Sequence, residues 1–433
     1  MRRVLFISAA PVGAEMAGPS IRVYELARAV APHAEVAIAG THSDLEPLTD
    51  MRQVDYDSRN PRALLPEIAA ADAIFVAPVF PVLVPALRRS RARLIFDIYV
   101  PEPFENLEYL ADASPFRRRA RLTLALDRCM EALHSGHHLV CGGEKQRDLW
   151  IGAMLAERLI GPARYDADPG LRETIDLVPF GLPAEPPVRR GGGARAAYGL
   201  AADDEIVLWN GGIWSWFDAP TAIRAFAELH ARRPAAKLVF MGGSSAGPAV
   251  RPAAEARRLA GELGLLDSAI FFNETWVPYA ERGDWLLDAA VSLSMHRPHL
   301  ESRFAFRTRA LDCFWAGLPL VCTEGDELAG RIEREDLGAT VPPADAAAGA
   351  AALERVLDRG RESYAAALRR AADHSAWPRV AEPLVRWIEA PGPPPPRIGA
   401  GATRRPAHAA RTHAYSAAVG VRNALGLERW VKI

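Results

Sequence analysis

The 433-residue sequence is poor in lysine, which occurs only at Lys145, Lys237 and Lys432, so its basic charge rests almost entirely on arginine. It also lacks net charge: 52 Lys and Arg stand against 53 Asp and Glu. No global field therefore favours a nucleic-acid partner. Only four cysteines are present, Cys129, Cys141, Cys313 and Cys322, and none forms a C-x-x-C pair. That spacing argues against zinc and dithiol redox chemistry and suits a reducing compartment, hence a cytoplasmic location. Long hydrophobic runs are missing as well. The most apolar stretch, 69–87, is broken by Asp72, Pro78, Pro81 and Pro85, which argues against a membrane helix. The N-terminal run 4–8 is too short for a secretion signal and reads as a first strand.

What is present is a strand–helix alternation long enough for two domains with full cores. Apolar runs at 4–8, 36–39, 73–77, 94–98 and 139–141 read as buried strands separated by helices. Ser20 suits the N-cap of the first helix. A boundary falls near V-P-F-G-L-P (178–183), followed by a Pro-, Arg- and Gly-rich linker. The pattern then restarts, with strands at 206–209, 237–241, 269–272, 290–294 and 320–323 and helices at 219–232 and 304–316. The last helix is closed by Gly317 and Pro319. Parallel α/β sheets covered on both faces follow from this alternation. The expected domains are 1–183 and 205–390, joined by linker 184–204. A Pro-rich spacer and basic tail occupy 391–433.

Three segments carry candidate chemistry. The loop before the first helix, which contains Gly18, brings backbone N–H groups and a helix N-terminus toward an anion. Gly211 and Gly212, between a strand and a helix, permit close backbone approach to a ligand, and Trp214 and Trp216 follow them. The densest polar cluster is H-L-E-S-R-F-A-F-R-T-R-A-L-D (299–312). On a continuous helix Glu301 and Asp312 would return to nearly one face. Two carboxylates so placed can hold the hydroxyls of a sugar and a ribose, and Arg307 and Arg309 can neutralise a pyrophosphate.

With V-P-F-G-L-P, I-R-A-F-A-E-L and A-L-D-C-F-W-A-G-L-P-L-V, residues 1–390 resemble the GT-B glycosyltransferases, in particular the retaining family 4 (group 1) enzymes. The resemblance implies two Rossmann-like α/β/α domains facing across a cleft. It also implies a nucleotide-sugar donor, UDP- or GDP-linked, on the C-terminal domain, a hydroxyl acceptor, and no metal. Asp312 takes the place of the family's ribose-binding glutamate. The sugar-binding glutamate of the family aligns with Phe304, and Glu301 stands three residues earlier. The family's donor-phosphate Arg and Lys align with Gly212 and Phe217, so Arg307 and Arg309 are expected to supply that charge, with Arg307 foremost. Where many members carry a His near the sugar, this chain has D-I-Y-V-P-E-P (97–103), which makes Asp97 and Glu102 candidates for contact with donor or acceptor. Catalysis is thus expected of Glu301, Arg307 and Asp97. Donor binding is expected of Gly18, Gly211, Gly212, Arg309 and Asp312. A nucleotide-sugar epimerase and a non-catalytic binding subunit are the alternatives.

Other motifs are set aside. His134, His137 and His138 lack partners at metal spacing and read as structural or solvated. Asp55-Tyr56-Asp57 reads as a loop and not as a metal motif. Arginine clusters at 88–93 and 117–121, with a tail of net charge +6 from seven basic residues and Glu428 (397–433), would suit peripheral contact with an anionic inner-membrane face.

Overall fold

The computed structural model describes residues 1–13, 16–41, 51–57, 60–78, 82–242, 250–400, 409–411, 414, 417 and 418. The chain forms two compact units, Met1–Pro179 together with the segment from Val380 onward, and Phe180–Arg379.

The first unit holds β1 (Arg3–Ile7), β2 (Glu35–Thr41), β3 (Arg52–Tyr56), β4 (Ala73–Val76), β5 (Arg93–Asp97), β6 (His138–Cys141) and β7 (Ile175–Leu177). Their order is β3-β2-β1-β4-β5-β6-β7, with every pairing parallel. The second unit holds β8 (Glu205–Trp209), β9 (Ala236–Phe240), β10 (Ile270–Phe272), β11 (Val291–Ser294), β12 (Leu320–Thr323) and β13 (Gly338–Val341). Here the order is β10-β9-β8-β11-β12-β13, again all parallel. Strands β4, β6, β11 and β12 are buried at every residue, as parallel strands covered by helices on both faces must be. In each sheet the first strand lies inside, so the order in which strands are added reverses beside it, between β1 and β4 and between β8 and β11. Crevices at the carboxyl ends of the strands open at such points.

Several expectations need correction. The first helix, Gly18–Val30, starts two residues before Ser20, with Ala17 at its N-cap; the Ser20 hydroxyl lies 3.4 Å from that of Ser8 instead of capping. Asp55 and Tyr56 belong to edge strand β3 and not to a loop. The second domain does not run to residue 390 as expected, for the chain rejoins the first unit at Val380. The helix Glu382–Glu389 explains this, because its Leu384, Val385, Trp387 and Ile388 are buried and Trp387 stacks on His138 at 4.9 Å.

The Pro-rich spacer and the start of the basic tail are likewise fastened down. Arg93 Nη2 donates to the carbonyls of Ala390, Pro391, Gly392 and Pro393. Arg397 donates to those of Ser135, Leu87, Arg88 and Ser90 at 2.5–3.3 Å. Ile398 is buried, and Arg411 pairs with Asp127. Arg88 is taken by Glu131. Much of the basic charge that suggested a membrane surface therefore has an internal partner. Val419, Val421, Leu425, Leu427 and Trp430 of the tail lie outside the described residues. Among the described residues no helix is long and apolar enough to cross a membrane. Arg397→Ala leaves four carbonyls without their donor, and we expect the melting temperature to fall by roughly 5 °C or more. An unchanged melting temperature in a thermal scan would show that the clamp carries no stability.

Candidate functional site

The second unit gathers its polar residues where β8, β11 and β12 end. Asn210 follows β8 and is held by its side chain, which donates to Arg309 O (2.8 Å) and accepts from Ser292 Oγ (3.1 Å). Gly211 turns with φ +106, open in practice only to glycine, and a Cβ there would lie 3.2 Å from Arg309 Nη2. At Gly242, past β9, a Cβ would meet the Gly211 carbonyl carbon at 2.3 Å, so the two loops touch backbone to backbone.

The segment 299–312 is not one helix. It folds as Leu300–Phe304 and Thr308–Trp315, separated by Ala305-Phe306-Arg307, with Arg307 at the N-cap of the second helix. The one-face argument for Glu301 and Asp312 therefore fails. The break instead turns Arg307 back onto Glu301. Its Nη1 and Nη2 donate to the two carboxylate oxygens at 3.1 and 2.8 Å, and the pair is almost fully buried. Arg307 Nε lies 3.7 Å from Asp326 Oδ2, and so does His296 Nε2. Asp326, past β12, also caps the following helix by accepting from Ala329 N. His296 and Asp326 went unnoticed in the sequence, although both follow the carboxyl end of a strand, where ligands gather in such sheets.

Arg309 takes another course. Its guanidinium lies 3.7 Å over the Phe217 ring and donates to Gly212 O at 2.9 Å. The cation thus reaches, from the neighbouring helix, the two positions at which the resemblance calls for Arg and Lys. Among the described residues it forms no ion pair with a carboxylate. Burial, with Arg307 adding to it, lowers its pKa from the ordinary arginine value. Asp312 has a different partner from Glu301. Its Oδ1 accepts from Arg282 Nε at 3.1 Å, and Arg282 is held between the rings of Tyr279 and Trp315 at 3.7 and 4.4 Å.

In the first unit Asp97 ends β5, and both of its oxygens accept from the fully buried Arg22 at 2.7 and 3.0 Å. Arg22 also donates to Pro179 O at 3.0 Å. Glu102 pairs with Arg128. Both carboxylates expected at a ligand are thus placed in ion pairs within the unit. Gly18 is the first residue of its helix. His137 and His138 are buried in the sheet region, His137 accepting from Leu94 N, while His134 faces Glu157.

Buried polar atoms normally find partners, and those that do not need an explanation. Among the described residues ten buried side-chain nitrogen or oxygen atoms make no hydrogen bond. Ser215 Oγ, His296 Nδ1 and Nε2, Arg307 Nε and Arg309 Nη1, all of this one region, are among them.

Residues 204–359 match the family model for glycosyl transferases group 1. No curated protein sequence matches the chain. Its fold is shared by solved glycosyltransferase structures. Anabaena HepE, in complex with UDP and glucose, is 11% identical over 90% of this chain and 100% of that one, with a TM-score of 0.65. WaaG, a glycosyltransferase involved in lipopolysaccharide biosynthesis, is 17% identical over 90% and 100%, with a TM-score of 0.59. Sucrose-phosphate synthase from Thermosynechococcus elongatus is 19% identical over 90% and 94%, with a TM-score of 0.54. The architecture is GT-B, with two Rossmann-like α/β units, and the chain resembles group 1 glycosyltransferases over most of its second unit.

Proposed function

We propose that the protein is a retaining glycosyltransferase that moves a sugar from a UDP- or GDP-linked donor to a hydroxyl acceptor. The observation that carries this reading is the concentration of unsatisfied buried polar atoms at the carboxyl edge of β8, β11 and β12, inside the segment that resembles group 1 glycosyltransferases. A buried arginine without a carboxylate partner is costly until an anion reaches it. The donor diphosphate is such an anion, met by Arg307 Nε and Arg309 Nη1.

In the reaction the bond from the sugar's anomeric carbon to the diphosphate oxygen breaks. The acceptor oxygen bonds to that carbon on the same face, and the acceptor proton passes to the departing phosphate. The protein's part is to stabilise the charge that develops on the leaving group. Glu301 keeps acceptor capacity for sugar hydroxyls despite its arginine, since a carboxylate offers about four lone-pair sites. Asp312, whose Oδ1 accepts from Arg282, takes a ribose hydroxyl. No step draws on a metal.

The test is a thermal-shift panel of nucleoside diphosphates and nucleotide sugars, because a ligand that binds only the native state raises the melting temperature. A transfer assay with acceptor extracts follows. Donor turnover to a glycosylated product supports the proposal. Epimerised nucleotide sugar would indicate an isomerase on the same fold, and tight binding without turnover across acceptors would indicate a binding subunit. Asp312→Ala should weaken donor binding by about 1.5–3 kcal/mol, the scale of a charged hydrogen bond. Unaltered donor affinity, measured by titration calorimetry, would remove Asp312 from the nucleotide site.

A further inference from the structure

His296 is only 3% exposed, yet neither ring nitrogen makes a hydrogen bond. Its backbone is fixed at the end of β11, with its N–H donating to Thr323 Oγ1 at 3.1 Å. Phe217 bridges to it from the neighbouring loop. The ring is therefore not idle for want of order; it is held in place and left unsatisfied.

The surroundings fix its state. Asp326 Oδ2 lies 3.7 Å from Nε2, while Arg307, His299 and Arg309 act on the ring through their charge. Burial first, and the two arginines and His299 after it, push its pKa down to about 2. The imidazole is thus neutral through the physiological range, with one N–H and one bare nitrogen. The carboxylate next to Nε2 can only accept, which favours the proton on Nε2. Nδ1 is then a buried lone pair that requires a donor.

A phosphate oxygen cannot satisfy Nδ1, since it too only accepts. The groups on a nucleotide sugar able to do so are its hydroxyls and the N–H groups of its base. Of these, the hydroxyls of the transferred sugar belong beside Glu301, whose Arg307 also borders the ring. Building on the glycosyltransferase reading above, we infer that His296 is a sugar-specificity residue: Nδ1 accepts a hydrogen bond from a hydroxyl of the donor's sugar, and Asp326 holds the tautomer that keeps it an acceptor.

The test compares wild type, His296→Leu and His296→Asn in the full chain. Affinities are measured for UDP and GDP, and separately for UDP-glucose and GDP-mannose as probes, with melting temperatures recorded without ligand. Asn places an amide oxygen near the Nδ1 position. The expected result is that Leu weakens the sugar-linked probe by about 10- to 100-fold relative to the bare diphosphate, the scale of one buried hydrogen bond left unmade, and that Asn recovers part of the loss. Equal losses for bare and sugar-linked nucleotides would place His296 on the phosphates and overturn the inference. So would no loss at all in a folded variant. If wild type binds bare diphosphates but gains nothing from the sugar, this inference fails while the nucleotide site stands. If wild type binds none of the four, the glycosyltransferase reading fails first. Should His296→Leu not fold, His296→Asn against wild type decides on the same ratio.

Discussion

Arg307→Ala is expected to lower turnover by about 100-fold or more, the scale seen when one preorganised charge stabiliser is lost. The same change should destabilise the second unit by about 3–5 kcal/mol, because the Glu301 carboxylate would remain buried without its bidentate partner. The two effects separate in a second variant. Glu301→Gln with Arg307→Met removes both charges, so most of the stability should return while turnover stays low. Arg307→Lys should recover only part of either, since a point charge cannot make the fork contact to Glu301 and also reach a phosphate. Urea unfolding followed by near-ultraviolet circular dichroism reads the first quantity, and transfer at saturating donor reads the second. Wild-type turnover in a folded Arg307→Ala protein would leave Arg309 as the phosphate cation. If Arg309→Ala also binds nucleoside diphosphate as wild type does, neither arginine serves the donor.

The division of labour between these two arginines was only half visible in the sequence. Their proximity to a donor segment could be read from spacing, and so could the strands that carry the site. Strands β8, β9 and β12 are mostly apolar runs, as buried parallel strands tend to be. Three of the four edge strands leave no such signal, for the opposite reason. In β3, R-Q-V-D-Y, only Tyr56 is buried; β7 has three residues; and β13 begins with glycine. None leaves the apolar signature of a strand covered on both faces. The break between Phe304 and Thr308 has no sequence signal either, for no proline or glycine stands there. In the fold, Arg307 turns back onto Glu301 at that point. Tertiary pairing overrode local helix propensity, and that is a contact between residues, not a property of any one of them. Asp97 illustrates the same limit: an acidic residue at a strand end looks like a ligand until Arg22, 75 positions earlier, is seen to occupy both its oxygens.

Acidification is expected to destabilise both units well above the range where carboxylates titrate. His138 in the first unit and His296 in the second are buried and neutral, their pKa values pushed down to about 4 and about 2, chiefly by burial. His137 is lowered to about 4, again by burial first, with Arg397 and Arg93 adding to it. In the unfolded chain each titrates near the ordinary 6.5, so below that pH the unfolded state binds more protons than the folded one. The stability these groups supply is complete above about pH 6.5. It is lost as the pH falls toward 4 for the first unit, and further still for His296. Each fully buried histidine should contribute a slope of about 1.4 kcal/mol per pH unit, with His137 acting in the same direction. The sharpest check is His138→Asn, which keeps a side-chain N–H for the Glu173 carbonyl that His138 Nδ1 meets at 2.9 Å. Unfolding free energies at pH 7.0, 6.0 and 5.0 should show the first unit of this variant losing stability by about one proton's slope less than wild type. Parallel curves for the two proteins would mean that His138 already carries a proton in the folded state, and its burial against Trp387 would then need another counter-charge.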